Sequence, residues 1–174
     1  MPLAALPEGA GGADAEWSDL FLLLRVAGHY AAPVPLAETM LAGWIAAAAG
    51  LEPTDQPMTV GPVRADDKLT LERDGNGWRL SGRASRLPYA RAAGRIVLVA
   101  DGPDGEMAVA LDGAGGAEKA EGRNMAGEQR DTLQFSGLRL SADAAAPMGA
   151  GTSRAALYRR GALARATMMS GWTP

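Results

Sequence analysis

"DGNGWRLSGRASRLPYARAAGRIVLVAD", running from Asp74 to Asp101, is the stretch that decides how this chain is read. It opens on a double turn signal, Asp74-Gly75-Asn76-Gly77, and Asp-Gly and Asn-Gly beside alternating residues mark a hairpin. In Trp78-Arg79-Leu80-Ser81 the side chains alternate, so Trp78 and Leu80 face a core while Arg79 and Ser81 face outward. The stretch closes on "RIVLVA", a short β-branched run. The same grammar extends on both sides: "MTVGPV" from Met58, "KLTLER" from Lys68, "EMAVAL" from Glu106 and "TLQFSGLRL" from Thr132. Asp101-Gly102, Asp104-Gly105 and Asp112-Gly113 punctuate these runs. Short strands with such regular turns predict an antiparallel barrel or sandwich. Residues 113–121, rich in Gly and Ala, read as a loop or a weak strand.

The flanks follow a different period. A Pro/Gly-rich start, "LPEGAGGADAEW", leads into a helical pattern from Ser18 to Tyr30, with Ser18 as its N-cap. Leu20, Leu24 and Ala27 share one face, widened by Phe21 and Leu23. Pro33 and Pro35 break the chain, and a second helix is predicted from about Leu36 to Ala49, with Gly50 at C′ and Pro53 barring continuation. After residue 143, Thr152 or Ser153 caps a third helix. Its apolar stripe is Leu157, Gly161, Ala164, Met168 and Trp172, with Arg154, Arg159 and Arg165 elsewhere, and such a stripe needs a partner surface. The expectation is an α+β fold in three regions: N-terminal helices (1–52), a central antiparallel β-barrel or sandwich domain (53–143) and a C-terminal helix (144–174). There is no internal repeat.

Composition closes several function classes. Aromatics are only 5% of the 174 residues, so the core rests on Ala, Leu, Val and Met. The formal net charge of -3 argues against general attraction to nucleic acid. With no cysteine and one histidine, disulfides, thiolate zinc sites, cysteine nucleophiles and two-histidine metal sites are excluded. The strongest apolar run, Leu20–Leu24, is too short to span a bilayer, and the N-terminus lacks a secretory pattern. A cytoplasmic protein without membrane span or metal is the resulting expectation.

No single motif names a reaction. Six arginines crowd the deciding region: Arg73, Arg79, Arg83, Arg86, Arg91 and Arg95. They read as a solvated strand face, because Asp66, Asp67, Glu72 and Asp74 lie nearby and no aromatic residues interleave as a base-stacking platform would require. His29 stands without a second His or a Ser/Asp pair, which fits a capping or surface role favoured by the helix dipole. Asp66-Asp67 and Glu118/Glu121 read as loop charges. Gly9, Gly11 and Gly12 lack the preceding strand and the GK[ST] of a phosphate loop. Trp17, Trp44, Trp78 and Trp172 read as packing anchors.

The order of segments resembles the acyl-CoA dehydrogenases. "LPEGAGG" (Leu6–Gly12) is similar to that family's PE-x-x-GG turn, and "LLLRVAGHYAAPVPLAETMLAGWIAAAAG" to the two helices that follow it, most closely in divergent bacterial members. The Asp74–Asp101 stretch resembles D-G-x-Y-x-L-N-G-x-K-x-x-I-T-N-G and the next strand. "GRNMAGEQRDTLQFSGLRL" resembles the segment ending x-F-x-x-V-x-V, and "RRGALARATMMSG" the opening of the first C-terminal-domain helix. Each motif is loose; their collinearity over nearly the whole chain carries the resemblance.

The resemblance implies a helical domain, a middle β domain and a C-terminal four-helix bundle, with FAD between the last two. It implies removal of two hydrogens across the α,β bond of an acyl-CoA by a carboxylate base and hydride transfer to the flavin, the cofactor carrying the chemistry. This chain has about half the family's usual length and lacks most of the bundle. The catalytic glutamate and the flavin-pyrophosphate arginine belong to the missing part, so no catalytic residue is assigned here. The T-E-x-x-x-G-S-D loop reduces to "TVGPVRADD", leaving Thr59 and Asp66. At the family's flavin-contacting W/F-I-T/S stretch stand Arg86, Leu87 and Pro88, followed by Tyr89, and Pro88 offers neither N–H nor hydroxyl. The implied cofactor-binding set is therefore Thr59, Arg86, Leu87, Pro88 and Tyr89. The implied partner is a homo- or hetero-oligomeric chain supplying the bundle, docked on Leu157, Gly161, Ala164, Met168 and Trp172, with acyl-CoA as ligand. The alternatives are a non-catalytic partner subunit and a free-standing β-domain binding module.

Overall fold

The computed structural model describes Gly12 and residues 15–172. Gly9, Gly11 and most of the "LPEGAGG" turn lie outside the described residues.

Among the described residues two helices come first, α1 (Trp17–His29) and α2 (Leu36–Ala48). Ser18 falls inside α1 and not at its cap. The N-cap is Glu16, which makes no side-chain cap bond, and the Ser18 hydroxyl instead donates to the Glu16 carboxylate at 3.4 Å. The end of α2 matches its pattern. Gly50 takes φ +70°, its N–H bonds to the Ala47 carbonyl, and the Leu51 N–H reaches Ala46 at 2.9 Å, the paired bonds of a Schellman motif.

Eight strands among the described residues come next: β1 (Met58–Gly61), β2 (Leu69–Asp74), β3 (Gly77–Pro88), β4 (Arg95–Gly102), β5 (Gly105–Asp112), β6 (Glu118–Ala120), β7 (Arg130–Leu140) and β8 (Ala145–Pro147). They form one sheet in the order β6-β7-β3-β2-β4-β5-β8, with β1 alongside β4. The expected sheet is present, but it is neither wholly antiparallel nor a closed barrel. β1 runs parallel to β4 from Met58↔Arg95 to Gly61↔Leu98, and only Thr70↔Asp101 joins β2 to β4. β1 thus takes most of the β4 edge that β2 would otherwise hold. The end strands β6 and β8 have three residues each and do not pair with one another.

β4 organises the interior. Ile96, Val97, Leu98, Val99 and Ala100 are all fully buried. Ile96, Leu98 and Ala100 point to one side, where the curled sheet meets itself through Leu69, Leu71, Leu80, Val109, Leu133 and Phe135. Val97 and Val99 point to the other, against Met58, Val60, Ala108 and the α2 residues Leu41, Ala42 and Ile45. Trp78 is buried as its alternation predicts, and its indole N–H donates to the Ala142 carbonyl at 3.2 Å.

The last helix, α3 (Arg154–Ser170), is capped by Ser153, whose hydroxyl accepts from the Ala156 N–H at 3.0 Å. α2 is apolar nearly all round because it is covered all round, by the sheet on one side and by α1 and α3 on the other. At Gly28 the α1 backbone lies so near α3 that a Cβ would sit 1.9 Å from the Met168 carbonyl oxygen. Arg160 of α3 lies 4.2 Å from the Trp17 ring centroid and 4.0 Å from that of Trp44, joining all three helices through cation–π contacts. Among the described residues no helix is long and apolar enough to cross a membrane.

Two substitutions measure these assignments in urea unfolding. Ser153→Ala loses a cap and is expected to cost about 0.5–2 kcal/mol, whereas Ser18→Ala changes stability by less than about 0.5 kcal/mol. Equal losses at both positions would contradict the capping assignment.

Candidate functional site

The site begins with a bulge. β3 and β7 pair Ala84 with Leu133 and Leu87 with Asp131, so Ser85 and Arg86 together oppose Thr132. Arg86 takes φ +54°, and its backbone N–H points to the Thr132 hydroxyl at 3.4 Å. Asp67 holds the distortion in place: its carboxylate accepts from the Ser85 N–H at 2.6 Å and the Ser85 hydroxyl at 2.7 Å. Asp67 is buried, so it is no loop charge, whereas Asp66 is exposed. The extra residue turns Arg86 to solvent and sends Leu87 into the sheet core.

β1 fixes the end of β3. Thr59 is fully buried and donates its hydroxyl to the Pro88 carbonyl at 2.6 Å. Thr59 therefore positions Pro88 from behind. A cleft of about 400 Å³ opens beside them, between the sheet and the helices α2 and α3. Val60, Pro62, Val63 and Pro88 wall one side, and Leu41, Leu157 and Gly161 the other. Glu38, Arg86, Arg130, Tyr158 and Arg165 add polar groups. Of the residues assigned to a cofactor by resemblance, Arg86 and Pro88 line this cleft, while Thr59, Leu87 and Tyr89 are buried and do not.

Sequence reasoning missed the polar end of the cleft. Glu38 is buried in α2 and engages Arg165 of α3. Glu128 receives Arg130 at 2.7 Å and is approached by the Tyr89 hydroxyl at 3.4 Å. Burial raises the Tyr89 phenol above its ordinary value, and the negative charges of Glu128 and Glu38 add to the rise. Tyr89 therefore stays protonated. A polar residue within the apolar run of α2 is the one signal that marked Glu38; its partner lies 127 residues away.

The arginine cluster divides. Arg73 stacks on Trp78 at 3.8 Å, Arg79 pairs with Asp74 at 3.1 Å and Arg95 pairs with Asp112 at 3.0 Å. Arg91 binds the buried Asp131 through Nε at 2.9 Å and also engages Glu121. Burial pushes the Asp131 carboxyl up, but the Arg91 guanidinium and the Gly122 N–H outweigh it, and the group ends below its ordinary range. Arg83 and Arg86 have no ion pair among the described residues.

The apolar stripe of α3 is largely taken up within the chain. Leu157 and Ala164 are buried, Leu157 against α2 and the sheet and Ala164 against α1 and α2. Gly161 faces Leu41, and Met168 packs on the helical cluster. Trp172 is 71% exposed, as is most of Met169, so Trp172 is no internal anchor. His29 hydrogen-bonds through Nδ1 to the Gly171 carbonyl at 3.1 Å, closing the end of α3 and not of its own helix.

Thr59→Val keeps the shape but leaves the Pro88 carbonyl without its donor; a loss of about 1–3 kcal/mol in denaturant unfolding is expected. Asp131 contributes stability above its unfolded value, and this is lost as pH falls through its lower folded value. Asp131→Asn is expected to flatten the stability–pH curve in that acidic window; an unchanged slope would remove Asp131 from the account.

No family model and no curated protein sequence matches the chain. Solved structures do. A variant of the Tcur3481–Tcur3483 steroid ACAD is 27% identical over 98% of this chain and 49% of its own, with a TM-score of 0.74. The ChsE4–ChsE5 complex from Mycobacterium tuberculosis is 20% identical over 96% of this chain and 50% of its own, at 0.80. A glutaryl-CoA dehydrogenase from Mycobacterium smegmatis, in complex with FADH2, is 18% identical over 96% and 52%, at 0.66. The chain spans about half the length of these proteins. Over nearly its whole length it has the fold of an acyl-CoA dehydrogenase.

Proposed function

We propose that this chain is the β-domain part of a flavin-dependent system that dehydrogenates acyl-CoA thioesters at the α,β bond, completed by a partner chain that supplies the helical bundle and the catalytic base. The observation that carries this reading is the cleft between the sheet and α2/α3, where Arg86 and Pro88 meet Leu157 and Gly161. The resemblance implies FAD between the middle β domain and the C-terminal helices, and this cleft lies between the sheet and α3. The paired names of two of the similar structures, ChsE4–ChsE5 and Tcur3481–Tcur3483, support a hetero-oligomeric arrangement.

The lining suits an apolar ring system. Val60, Val63, Pro88 and Leu157 present apolar walls, and the exposed Arg86 adds a cation. One fit is missing: Pro88 has no N–H to donate, and Thr59 already occupies its carbonyl. FAD, when bound, would accept the hydride. This chain's part is to orient and shield, with Thr59 fixing Pro88. Glu38 lines the cleft but its carboxylate is engaged by Arg165, so the base comes from the partner.

The missing donor favours a second reading, a non-catalytic partner subunit that packs beside a flavin site without contributing to it. Co-purification with the bundle-supplying chain separates the two. The first reading expects visible flavin absorbance to co-elute with the complex and not with the isolated chain. Pro88→Ser, which restores an N–H and a hydroxyl, is expected to raise flavin affinity about two- to tenfold. A complex whose flavin affinity is untouched by Pro88→Ser and by Arg86→Ala supports the non-catalytic subunit; a complex without flavin refutes the first reading.

A further inference from the structure

We propose that Lys68, Arg83 and Arg86 form a groove for a phosphate-bearing anion, a diphosphate of the kind carried by nucleotide cofactors and coenzyme A thioesters. A cleft of about 660 Å³ lies on the outward face of the sheet beside the β3 bulge, lined by Arg64, Lys68, Arg83, Arg86, Thr132 and Gln134 among others. Four cationic side chains meet two carboxylates there, Asp66 and Asp67. Asp67 is committed to the N–H and hydroxyl of Ser85. Asp66 lies 3.6 Å from Arg64, and both are largely exposed. Lys68, Arg83 and Arg86 have no ion-pair partner among the described residues, whereas Arg79, Arg91 and Arg95 of the same stretch each have a carboxylate.

The backbone brings these cations together. The Arg83 N–H bonds to the Lys68 carbonyl at 3.0 Å, and Gly82, at φ +117°, lies so close that a Cβ would sit 2.1 Å from that same oxygen. The bulge then aims Arg86 outward on the same side. Like charges gathered in one concave surface repel unless an anion joins them, and guanidinium forks match phosphate oxygens bidentately. In a chain of net charge -3 this is a local reversal of sign. Arg86 lines both this groove and the apolar cleft, so one ligand can place a phosphate in the first and an apolar part in the second. The source of the phosphate rests on the flavin and acyl-CoA reading above; the anion site does not.

The full chain is titrated calorimetrically with inorganic pyrophosphate at low ionic strength, then with coenzyme A and with FAD as competitors. Pyrophosphate binding is expected to weaken with added salt. Lys68→Ala/Arg83→Ala is expected to lower affinity at least tenfold and to reduce the salt dependence. Arg139→Ala, an exposed site paired with Asp74, leaves it unchanged. Coenzyme A displacing pyrophosphate identifies a thioester as the source, and FAD displacing it identifies the flavin. Displacement by neither keeps the groove and detaches it from the proposed function. No pyrophosphate binding up to millimolar concentration, or equal affinity in a double variant whose circular dichroism is native, overturns the proposal.

Discussion

Burial of β4 on both faces is the constraint that organises the molecule. Five consecutive residues, Ile96 to Ala100, lose all contact with solvent. Each buried Val, Leu or Ile side chain contributes roughly 1.5–3 kcal/mol. One strand therefore belongs to two cores, the interior of the curled sheet and the layer beneath α2. That double demand explains why α2 is so rich in alanine and leucine: it covers Val97 and Val99 on one side and receives α1 and α3 on the other. It also explains β1, whose parallel pairing with Arg95–Leu98 satisfies the β4 edge where β2 has turned away.

The candidate site is a consequence of that edge arrangement. β1 ends at Gly61 beside the end of β3, so Thr59 can hold the Pro88 carbonyl and Val60 can wall the cleft. The bulge at Ser85–Arg86 then separates three neighbours in sequence into three roles. Arg86 faces solvent, Leu87 enters the core and Pro88 lines the cleft. A regular β3 would have continued the alternation from the buried Ala84, turning Arg86 inward with it and Leu87 outward; the extra residue reverses this. Asp67, buried and doubly hydrogen-bonded, maintains the irregularity; a buried carboxylate is tolerated because its hydrogen bonds replace water.

Local patterns predicted local structure well wherever the signal was short-ranged. The Gly50 terminus, the Ser153 cap and the turns flanking β3 rest on contacts within a few residues, and the inward faces of Trp78 and Leu80 follow from strand alternation. Ser18 failed as a cap because Ser is also tolerated inside a first turn, where it bonds to a neighbouring side chain. Reading the central region as antiparallel overlooked β1, since a parallel partner 37 residues away is not joined to it by a hairpin turn that a local pattern could mark. The six arginines looked alike along the chain. Their partners, Asp112, Asp131 and Glu121 among them, come from other strands and loops, so only the fold shows which are neutralised and which are left to bind.

Residue order alone was enough to establish the alternation of helical and strand segments, the absence of thiol chemistry and the collinear resemblance that the solved structures match as a fold. Only the folded chain reveals that the stripe of α3 is spent mostly on its own α1 and α2, that Asp67 is a buried brace, and that Arg83, Arg86 and Lys68 converge. The physical reason is range. Hydrogen-bonding turns and side-chain periodicity act over a few residues and are written locally, whereas charge pairing and burial depend on which distant segments the folded sheet brings into contact.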